Sequence, residues 1–451
     1  MRGGTTLPSV ALLRARFTTE PGMPRYLARV AQEHGSMVRF RGPGTDVWFA
    51  SDPAGIEQVL VSKAGSFEKG RGTKLLGLLL GRGLLTSEPP EHLVHRRLVQ
   101  PAFRRERIAE YARVMVECTA ELVAGWHDGE TVDVTRATSQ LALAIASQAL
   151  FGTSFARADA EALSTSLERA MRDFPYLLLP MSEYWTRLPL PIVRRFRRSK
   201  AVIDGVVERM IREHRSAAGN RDDVLAALVA ARDDDMRGGM SDAQVRDEAL
   251  TILLAGHETT ATALAWTFYL LQRHPAVETR LHAHLDAQLG SRLPTIADVP
   301  HLEYVRALFA ESMRLYPPAW ATARRATADV TIDGTLVRAG ALVLVSQYVT
   351  HRDPRFWHEP ERFDPERFLA GAPSPKFAYF PFGGGPRLCI GESFAWTEGI
   401  LAIATIASRV RLERDGDGDI PTQPLVTLRP RTPIRARVRV RPSCAERYVE
   451  T

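Results

Sequence analysis

Hydrophobic positions in this chain recur mostly every three to four residues, which is the period of an α-helix. About a dozen segments follow this period, most of them between residues 91 and 315. Alternating patterns, typical of β-strands, occur at residues 37–51, where "MVRFRGPGTDVWFAS" predicts a hairpin, and again at residues 323–349. The pattern therefore predicts a mainly α fold with a minor antiparallel β component.

The longest helical segment, residues 241–273, has a start signal and a weak point. Ser241 and Gln244 have the spacing of a capping box. A helix of this length spans roughly 50 Å, so it must cross the core. Its centre reads "AGHETT", where Gly256 and two threonines weaken a helix and predict a groove or a kink. An acid beside hydroxyls at such a kink could relay protons, and an exposed polar face is the equally simple alternative.

No feature of the sequence marks a domain boundary. The chain contains no Ser/Gly-rich linker, no low-complexity tract and no repeat at a fixed period. We therefore expect one domain over residues 1–451, with a loosely ordered N-terminal segment at about residues 1–20. The small β-rich part is expected at residues 37–51 and 323–349, together with strands near the C-terminus.

Composition and charge narrow the class of protein. The chain is 45% hydrophobic and 25% charged, which excludes a disordered or membrane-embedded protein. The net charge is +7 and comes from arginines scattered along the chain, which favours an acidic partner only weakly. Basic clusters such as "RRFRRSK" could touch nucleic acid, but no nucleic-acid motif accompanies them, and solvated helix faces are the simpler interpretation.

Cysteine usage and the N-terminus indicate a compartment. Cys118, Cys389 and Cys444 show no paired spacing, which favours a reducing cytoplasm over a disulfide scaffold or a zinc site. The first residues contain no apolar run long enough for a signal peptide or a membrane span. We expect a cytoplasmic protein without a membrane anchor.

The stretch "FGGGPRLCIG", residues 382–391, puts Cys389 behind three glycines and ahead of an amphipathic helix. A lone cysteine is most often a small buried hydrophobe. Here, however, the glycines let the backbone approach a flat, bulky group, and the helix start near Gly391 favours a thiolate. Without a second ligand at suitable spacing, a single thiolate suits haem iron better than tetrahedral zinc.

Two further motifs carry charged residues. In "FAESMRLYPP", Glu311 and Arg314 share one helix face, and the following double proline ends the helix. Alone they would be a surface ion pair of little value. Together with Arg367 of "PERF", in the proline-rich stretch "HRDPRFWHEPERFDPERF", they predict a buried structural triad of one glutamate and two arginines.

These motifs together resemble the cytochrome P-450 superfamily of haem-thiolate monooxygenases, of the bacterial type without a membrane anchor, along nearly the whole chain. The resemblance rests on "AGHETT", "ESMR", "PERF" and "FGGGPRLCIG" in that order, and none departs from its family form. It implies haem b (iron protoporphyrin IX), held between a long central distal helix and the helix that follows the cysteine loop. Cys389 is implied to bind the iron, and the other implied haem contacts are His92, Arg96, Ala255, Arg324, Phe382, Arg387, Ile390 and Gly391.

The resemblance also implies the reaction. Glu258 and Thr259 match the acid–alcohol pair that delivers protons for cleavage of dioxygen, and His257 between its neighbours receives no role. The expected reaction is hydroxylation or epoxidation of a hydrophobic small molecule: a terpenoid, a fatty acyl compound or another secondary metabolite. O2 is the co-substrate, and the electrons come from NAD(P)H. The chain ends about 60 residues after Cys389, so we expect a separate donor, a ferredoxin with its reductase or a flavodoxin-type protein.

Three alternatives remain open at this point. A peroxide-driven haem peroxygenase would have the same fold but would normally lack the acid–alcohol pair. A non-catalytic haem-binding or gas-sensing protein would keep Cys389 and need no proton relay. A basic, helical nucleic-acid-binding protein would contain no haem at all.

Overall fold

The computed structural model describes residues 5–9, 12, 15, 22–42, 45–153, 155–177, 184, 186–216, 223–230, 240–371 and 374–442. The helices of this part of the chain are α1 (Gly22–His34), α2 (Pro53–Glu57), α3 (Arg71–Leu80), α4 (Glu91–Val99), α5 (Arg105–Ala124), α6 (Val134–Ile145), α7 (Arg157–Leu177), α8 (Pro191–Ser216), α9 (Val224–Ala230), α10 (Asp242–Arg273), α11 (Pro275–Leu289), α12 (Glu303–Leu315), α13 (Gln347–Thr350), α14 (Glu366–Leu369) and α15 (Glu392–Arg409). The predicted predominance of helix is confirmed.

The strands are short and lie mainly in the first and last parts of the chain. They are β1 (Thr5–Pro8), β2 (Met37–Arg41), β3 (Val47–Ala50), β4 (Phe67–Lys69), β5 (Thr131–Asp133), β6 (Thr322–Ala326), β7 (Val330–Ile332), β8 (Thr335–Val337), β9 (Leu342–Val345), β10 (Val410–Arg414), β11 (Thr422–Pro424), β12 (Leu428–Pro430) and β13 (Arg435–Val440). The hairpin predicted at residues 37–51 is β2–β3, and the strands expected at residues 323–349 are β6 to β9, which lie at residues 322–345.

The chain divides into two compact units, each assembled from separate stretches. The β-rich unit takes its described residues from 1–74, 310–389 and 422–429, and the helical unit takes its described residues from 75–309, 390–421 and 430–451. The expectation of one catalytic domain over the whole chain stays a prediction.

The β-rich unit is built on a six-stranded sheet of order β1-β2-β3-β9-β6-β4. Most neighbours pair antiparallel, whereas β1–β2 and β3–β9 are parallel. Successive side chains of a strand point to opposite faces of the sheet. Apolar side chains therefore cover both faces and form two clusters, one on each face. One cluster joins Trp48 and Val343 to Ile56, and the other joins Phe40 and Phe49 to α1.

Strand β1 corrects one expectation. Residues 1–20 were expected to be loosely ordered, yet residues 5–8 pair in parallel with β2, Leu7 opposite Phe40. This pairing adds backbone hydrogen bonds between segments some 30 residues apart, which the polar sequence of the strand does not reveal. Most of the remaining residues of that segment lie outside the described part of the chain.

In the helical unit, α10 has the length and start that the sequence predicts. Ser241 is the N-cap, and it forms the full capping box with Gln244. All residues from Ala261 to Leu271 are buried, so this part of α10 is enclosed on every side. It packs against α6, while α15 packs against α5. A smaller sheet, β10-β13-β5, completes the unit.

None of the helices in the described ranges is both long enough and apolar enough to span a lipid bilayer.

Candidate functional site

The residues from Phe380 to Cys389, here called the cysteine loop, form a turn closed by its own backbone. The Phe380 carbonyl accepts from the Gly383 N–H at 2.9 Å, and the Phe382 carbonyl accepts from the Cys389 N–H at 3.1 Å. The second bond fixes the main chain of Cys389 relative to Phe382. The loop therefore presents the cysteine from a defined backbone position.

Two of the loop glycines are required by protein packing. Gly385 has φ +67°, and a Cβ atom there would lie 2.0 Å from the Leu60 carbonyl oxygen. A Cβ atom at Gly384 would lie 2.7 Å from Cε1 of Phe377. At these two positions the backbone already touches other parts of the β-rich unit, so packing is a second reason for glycine beside the predicted approach to a flat group, which stays a prediction.

The two cysteines in the described part of the chain differ sharply. Cys118 is buried in α5, and burial, with lesser contributions from nearby glutamates, raises the pKa of its thiol to about 11. Cys389 is exposed, and α15 begins three residues after it, with Gly391 as N-cap. Cys444 lies outside the described residues. Of the described pair, only Cys389 offers an accessible sulfur.

Four cationic side chains were expected to face the haem propionates, and they come from three places. His92 and Arg96 lie one turn apart on α4, the histidine buried and the arginine half-buried. Arg324 lies on β6, where its Nη1 donates to Thr322 Oγ1 at 3.1 Å. Arg387, also half-buried, ends the short 3₁₀ turn of the cysteine loop.

The middle of α10 carries the predicted acid and alcohol. Ala255 is exposed and Thr259 half-buried, one turn apart on the same face, and the Thr259 hydroxyl donates to the Ala255 carbonyl at 2.6 Å. Glu258 is buried. Back-bonding of this kind weakens a helix locally, yet α10 runs unbroken through "AGHETT".

His257 has a structural neighbour on the adjacent helix. Its Nε2 lies 2.9 Å from the hydroxyl oxygen of Ser139 on α6, and the ring is buried. This contact ties α10 to α6. It gives the side chain a packing role on the face of α10 that meets α6.

The predicted triad residues lie together in the β-rich unit. Arg314 and Glu311 have no exposed side-chain surface and form a two-point ion pair, Nε to Oε2 at 2.6 Å and Nη2 to Oε1 at 2.9 Å. Arg367 brings its Nε to 3.4 Å from Glu311 Oε1. Arg314 also donates to the carbonyls of His351, Pro360 and Arg362. The cluster thus connects α12 to the proline-rich stretch.

Two buried glutamates in the helical unit were not predicted from the sequence as functional or structural residues. Glu248 of α10 is fully buried, with Oε1 2.5 Å from Nδ1 of His95 on α4. Glu398 of α15 is buried beside α10, where the Thr260 hydroxyl hydrogen-bonds its carboxyl group. Burial raises the pKa of Glu398 well above its ordinary value. The available signal was an acid inside an apolar helical run, as in "FAWTEGILAIA".

Comparison with known proteins shows the family of this chain. The family model "Cytochrome P450" matches residues 2–437. The chain is 38% identical to cyclooctatin synthase of Streptomyces melanosporofaciens, over 94% of this chain and 92% of that protein. It is 36% identical to cyclooctat-9-en-7-ol 5-monooxygenase of the same organism, over 91% and 89%. It is 32% identical to pentalenene oxygenase of Streptomyces avermitilis, over 90% of each chain. This chain therefore belongs to the cytochrome P450 family.

Proposed function

We propose that this protein, a haem-dependent monooxygenase by its family, oxygenates a hydrophobic terpenoid with Cys389 as the iron ligand. The observation that carries the proposal is the exposed thiol of Cys389 on a loop of fixed backbone geometry, three residues before α15. An accessible sulfur near the start of a long helix is suited to exist as a thiolate.

The available donors fit haem better than a metal ion bound by side chains alone. Among the described residues, no group of three or more His, Cys, Asp or Glu side chains could hold a metal ion, whereas haem iron needs one protein ligand on one axial side. Arg96, Arg324 and Arg387 would supply positive charge for the two propionates, and His92 a ring N–H donor. Phe382, Ala255, Ile390 and Gly391 would line the porphyrin.

The bound haem supplies the activation of O2 that the family uses, with electrons from NAD(P)H. Thr259 would orient water on the Ala255 face of α10, because its hydroxyl is held there by the Ala255 carbonyl. Glu258, one residue earlier, would pass protons to it. The peroxygenase alternative makes no use of this pair, so Glu258 and Thr259 favour the monooxygenase.

The triad is proposed to be structural. The Arg314 guanidinium donates hydrogen bonds to Glu311 and to three backbone carbonyls of the proline-rich stretch. Removal of the arginine would leave those acceptors buried without their cation. Its role is therefore to hold α12 and this stretch together rather than to contact substrate.

The terpenoid assignment draws on the relatives. One is named for oxygenating cyclooctat-9-en-7-ol and another for oxygenating pentalenene; both names denote unsaturated hydrocarbon skeletons. The chain shares about a third of its residues with each, along nearly its full length. A largely hydrocarbon substrate is therefore favoured over a sugar or nucleotide.

The electron donor is proposed to be an acidic ferredoxin with its reductase, and the compartment the cytoplasm. The family uses a redox partner, and a net charge of +7 on this chain would attract an acidic protein at low ionic strength. A flavodoxin-type donor with an acidic surface would compete for the same role.

Reconstitution tests the proposal. The haem-loaded protein is mixed with a surrogate ferredoxin, its reductase, NADPH and isotope-labelled O2. The substrates tested are a panel of cyclic terpene alkenes and alkenols, with fatty acids as the matched comparison. We expect a low-to-high-spin shift and labelled oxygenated product from members of the terpene set. Product from fatty acids alone would contradict the substrate class. Turnover with peroxide but not with the redox system would favour the peroxygenase, and haem binding without turnover would favour a sensor.

A further inference from the structure

The cysteine loop is held at its first residue by a histidine that none of the four motifs contains. His351 follows α13 directly and has no exposed surface. Its Nε2 accepts a hydrogen bond from the Phe380 backbone N–H at 2.9 Å. Phe380 in turn accepts from Gly383, and Phe382 accepts from Cys389. A chain of hydrogen bonds thus runs from His351 into the loop that carries the sulfur.

The imidazole ring has little freedom to turn away from the loop. It lies against Tyr379 with ring centres 4.9 Å apart, and it meets Phe380 edge-on at 5.4 Å. Packing therefore keeps Nε2 aimed at the Phe380 amide.

The surroundings of His351 also favour its neutral form, in which Nε2 can accept a hydrogen bond. Burial, reinforced by the positive charges of Arg314 and Arg352, holds the pKa of His351 well below its ordinary value, although backbone hydrogen bonding at Met313 and Arg314 acts in the opposite direction. With the ring neutral and Nε2 accepting, the proton resides on Nδ1. A protonated ring could not accept from Phe380.

We propose that His351 is a positioning residue for Cys389: by accepting the Phe380 N–H it fixes the start of the cysteine loop and thereby the placement of the sulfur. This inference rests on the proposed function, which makes Cys389 the iron ligand. The competing explanation is an ordinary core histidine whose loss lowers stability and nothing else.

Three variants separate the two explanations. His351→Phe keeps a flat ring and removes the acceptor, and His351→Gln restores an acceptor through its amide oxygen. Tyr379→Phe is the matched control, because it keeps the ring that packs on His351 and removes only a half-buried hydrogen bond, from the Tyr379 hydroxyl to the Ala310 carbonyl at 2.9 Å. Should His351→Phe not fold, His351→Met, an apolar chain of similar length, takes its place.

The haem-loaded variants are compared by amide hydrogen exchange over residues 377–391 and by the reduced carbon-monoxide spectrum. For His351→Phe we expect exchange in the loop to rise about tenfold or more, together with a smaller thiolate-type fraction in the spectrum. His351→Gln should recover most of both signals. Tyr379→Phe should lower the thermal midpoint while leaving loop exchange and spectrum like those of the wild type.

The inference is overturned if His351→Phe and Tyr379→Phe give the same loop exchange and the same spectrum. It is also overturned if His351→Gln is no better than His351→Phe, because the acceptor would then be irrelevant. A wild-type protein without a thiolate-type spectrum contradicts the proposed function instead, and the exchange data would still decide whether His351 anchors the loop.

Discussion

Gly383 and Gly385 are two residues apart in the cysteine loop, yet they are constrained differently. Both have positive φ, +77° and +67°, which disfavours any residue with a side chain. At Gly383 a Cβ atom would meet nothing within 4 Å, whereas at Gly385 it would lie 2.0 Å from the Leu60 carbonyl oxygen. The first glycine is required by conformation alone, the second also by contact.

We therefore expect Gly383→Ala to cost about 1–2 kcal/mol of unfolding free energy, the usual cost of the left-handed conformation for alanine. Gly385→Ala should cost clearly more, since the loop must also move away from Leu60. Urea unfolding of both variants, with haem content measured in parallel, checks this. Equal losses would show that the loop can shift freely.

Thr259 holds its hydroxyl by back-bonding to Ala255, so its removal leaves the helix intact. Thr259→Ala should still bind haem and substrate. The amount of oxygenated product formed per NADPH consumed should fall about tenfold or more, and the amount of hydrogen peroxide formed should rise. The control is Thr279→Ala, which removes the same kind of bond, Oγ1 to the Pro275 carbonyl, on α11. Fully coupled turnover by Thr259→Ala would refute its role in proton delivery.

At the scale of elements, α10 and α15 are joined by a hydrogen bond between a hydroxyl and a buried carboxyl group. Glu398 of α15 is buried, and the Thr260 hydroxyl of α10 hydrogen-bonds it. Because burial raises the pKa of Glu398 well above 4.5, the folded protein keeps this proton to a higher pH than the unfolded chain does.

The sign of the pH dependence follows directly. Above the ordinary glutamate pKa the folded state binds one proton more than the unfolded state, so this residue's contribution to stability falls as pH rises, by about 1.4 kcal/mol per pH unit up to the folded pKa. Glu398→Gln keeps the shape and removes the titration. We expect its unfolding free energy to exceed that of the wild type by a margin that grows with pH. Parallel stability curves in urea from pH 5 to 8 would contradict the assignment.

Sequence signals proved reliable where they are local. The capping box of Ser241 and Gln244 and the extent of α10 followed from residues only a turn apart. The contacts that shape the site are long-range: Leu60 against Gly385, His351 against Phe380, and Thr260 against Glu398. Hydrophobic periodicity carries no information about such pairs. It indicates which face of a helix or strand is buried, but not which residues of other segments pack against that face.

At the scale of the molecule, the β-rich unit is assembled from stretches far apart in sequence, and the buried cation Arg314 connects several of its segments. The side chain has no exposed surface, and it binds Glu311, three backbone carbonyls and the face of Trp357, at 5.0 Å. Such a group stabilises the unit only while every partner is present.

Arg314→Met should therefore cost about 3–5 kcal/mol, the usual loss when a buried ion pair is broken, and should reduce haem retention more than substrate affinity. The control is Arg113→Met, which breaks the exposed Arg113–Glu117 pair on α5 and should cost at most about 1 kcal/mol. Urea unfolding and haem content per chain are the measurements. A normally folded, haem-loaded Arg314→Met protein would show that the cluster is dispensable.

The central claim, that the Cys389 sulfur binds haem iron, is tested most directly by the reduced carbon-monoxide spectrum of three proteins purified alike. The wild type and Cys118→Ala, whose cysteine is buried in α5, should both give the thiolate-type spectrum. Cys389→Ala should lose it. A thiolate-type spectrum that survives in Cys389→Ala, or a wild-type spectrum typical of a histidine ligand, would contradict the account.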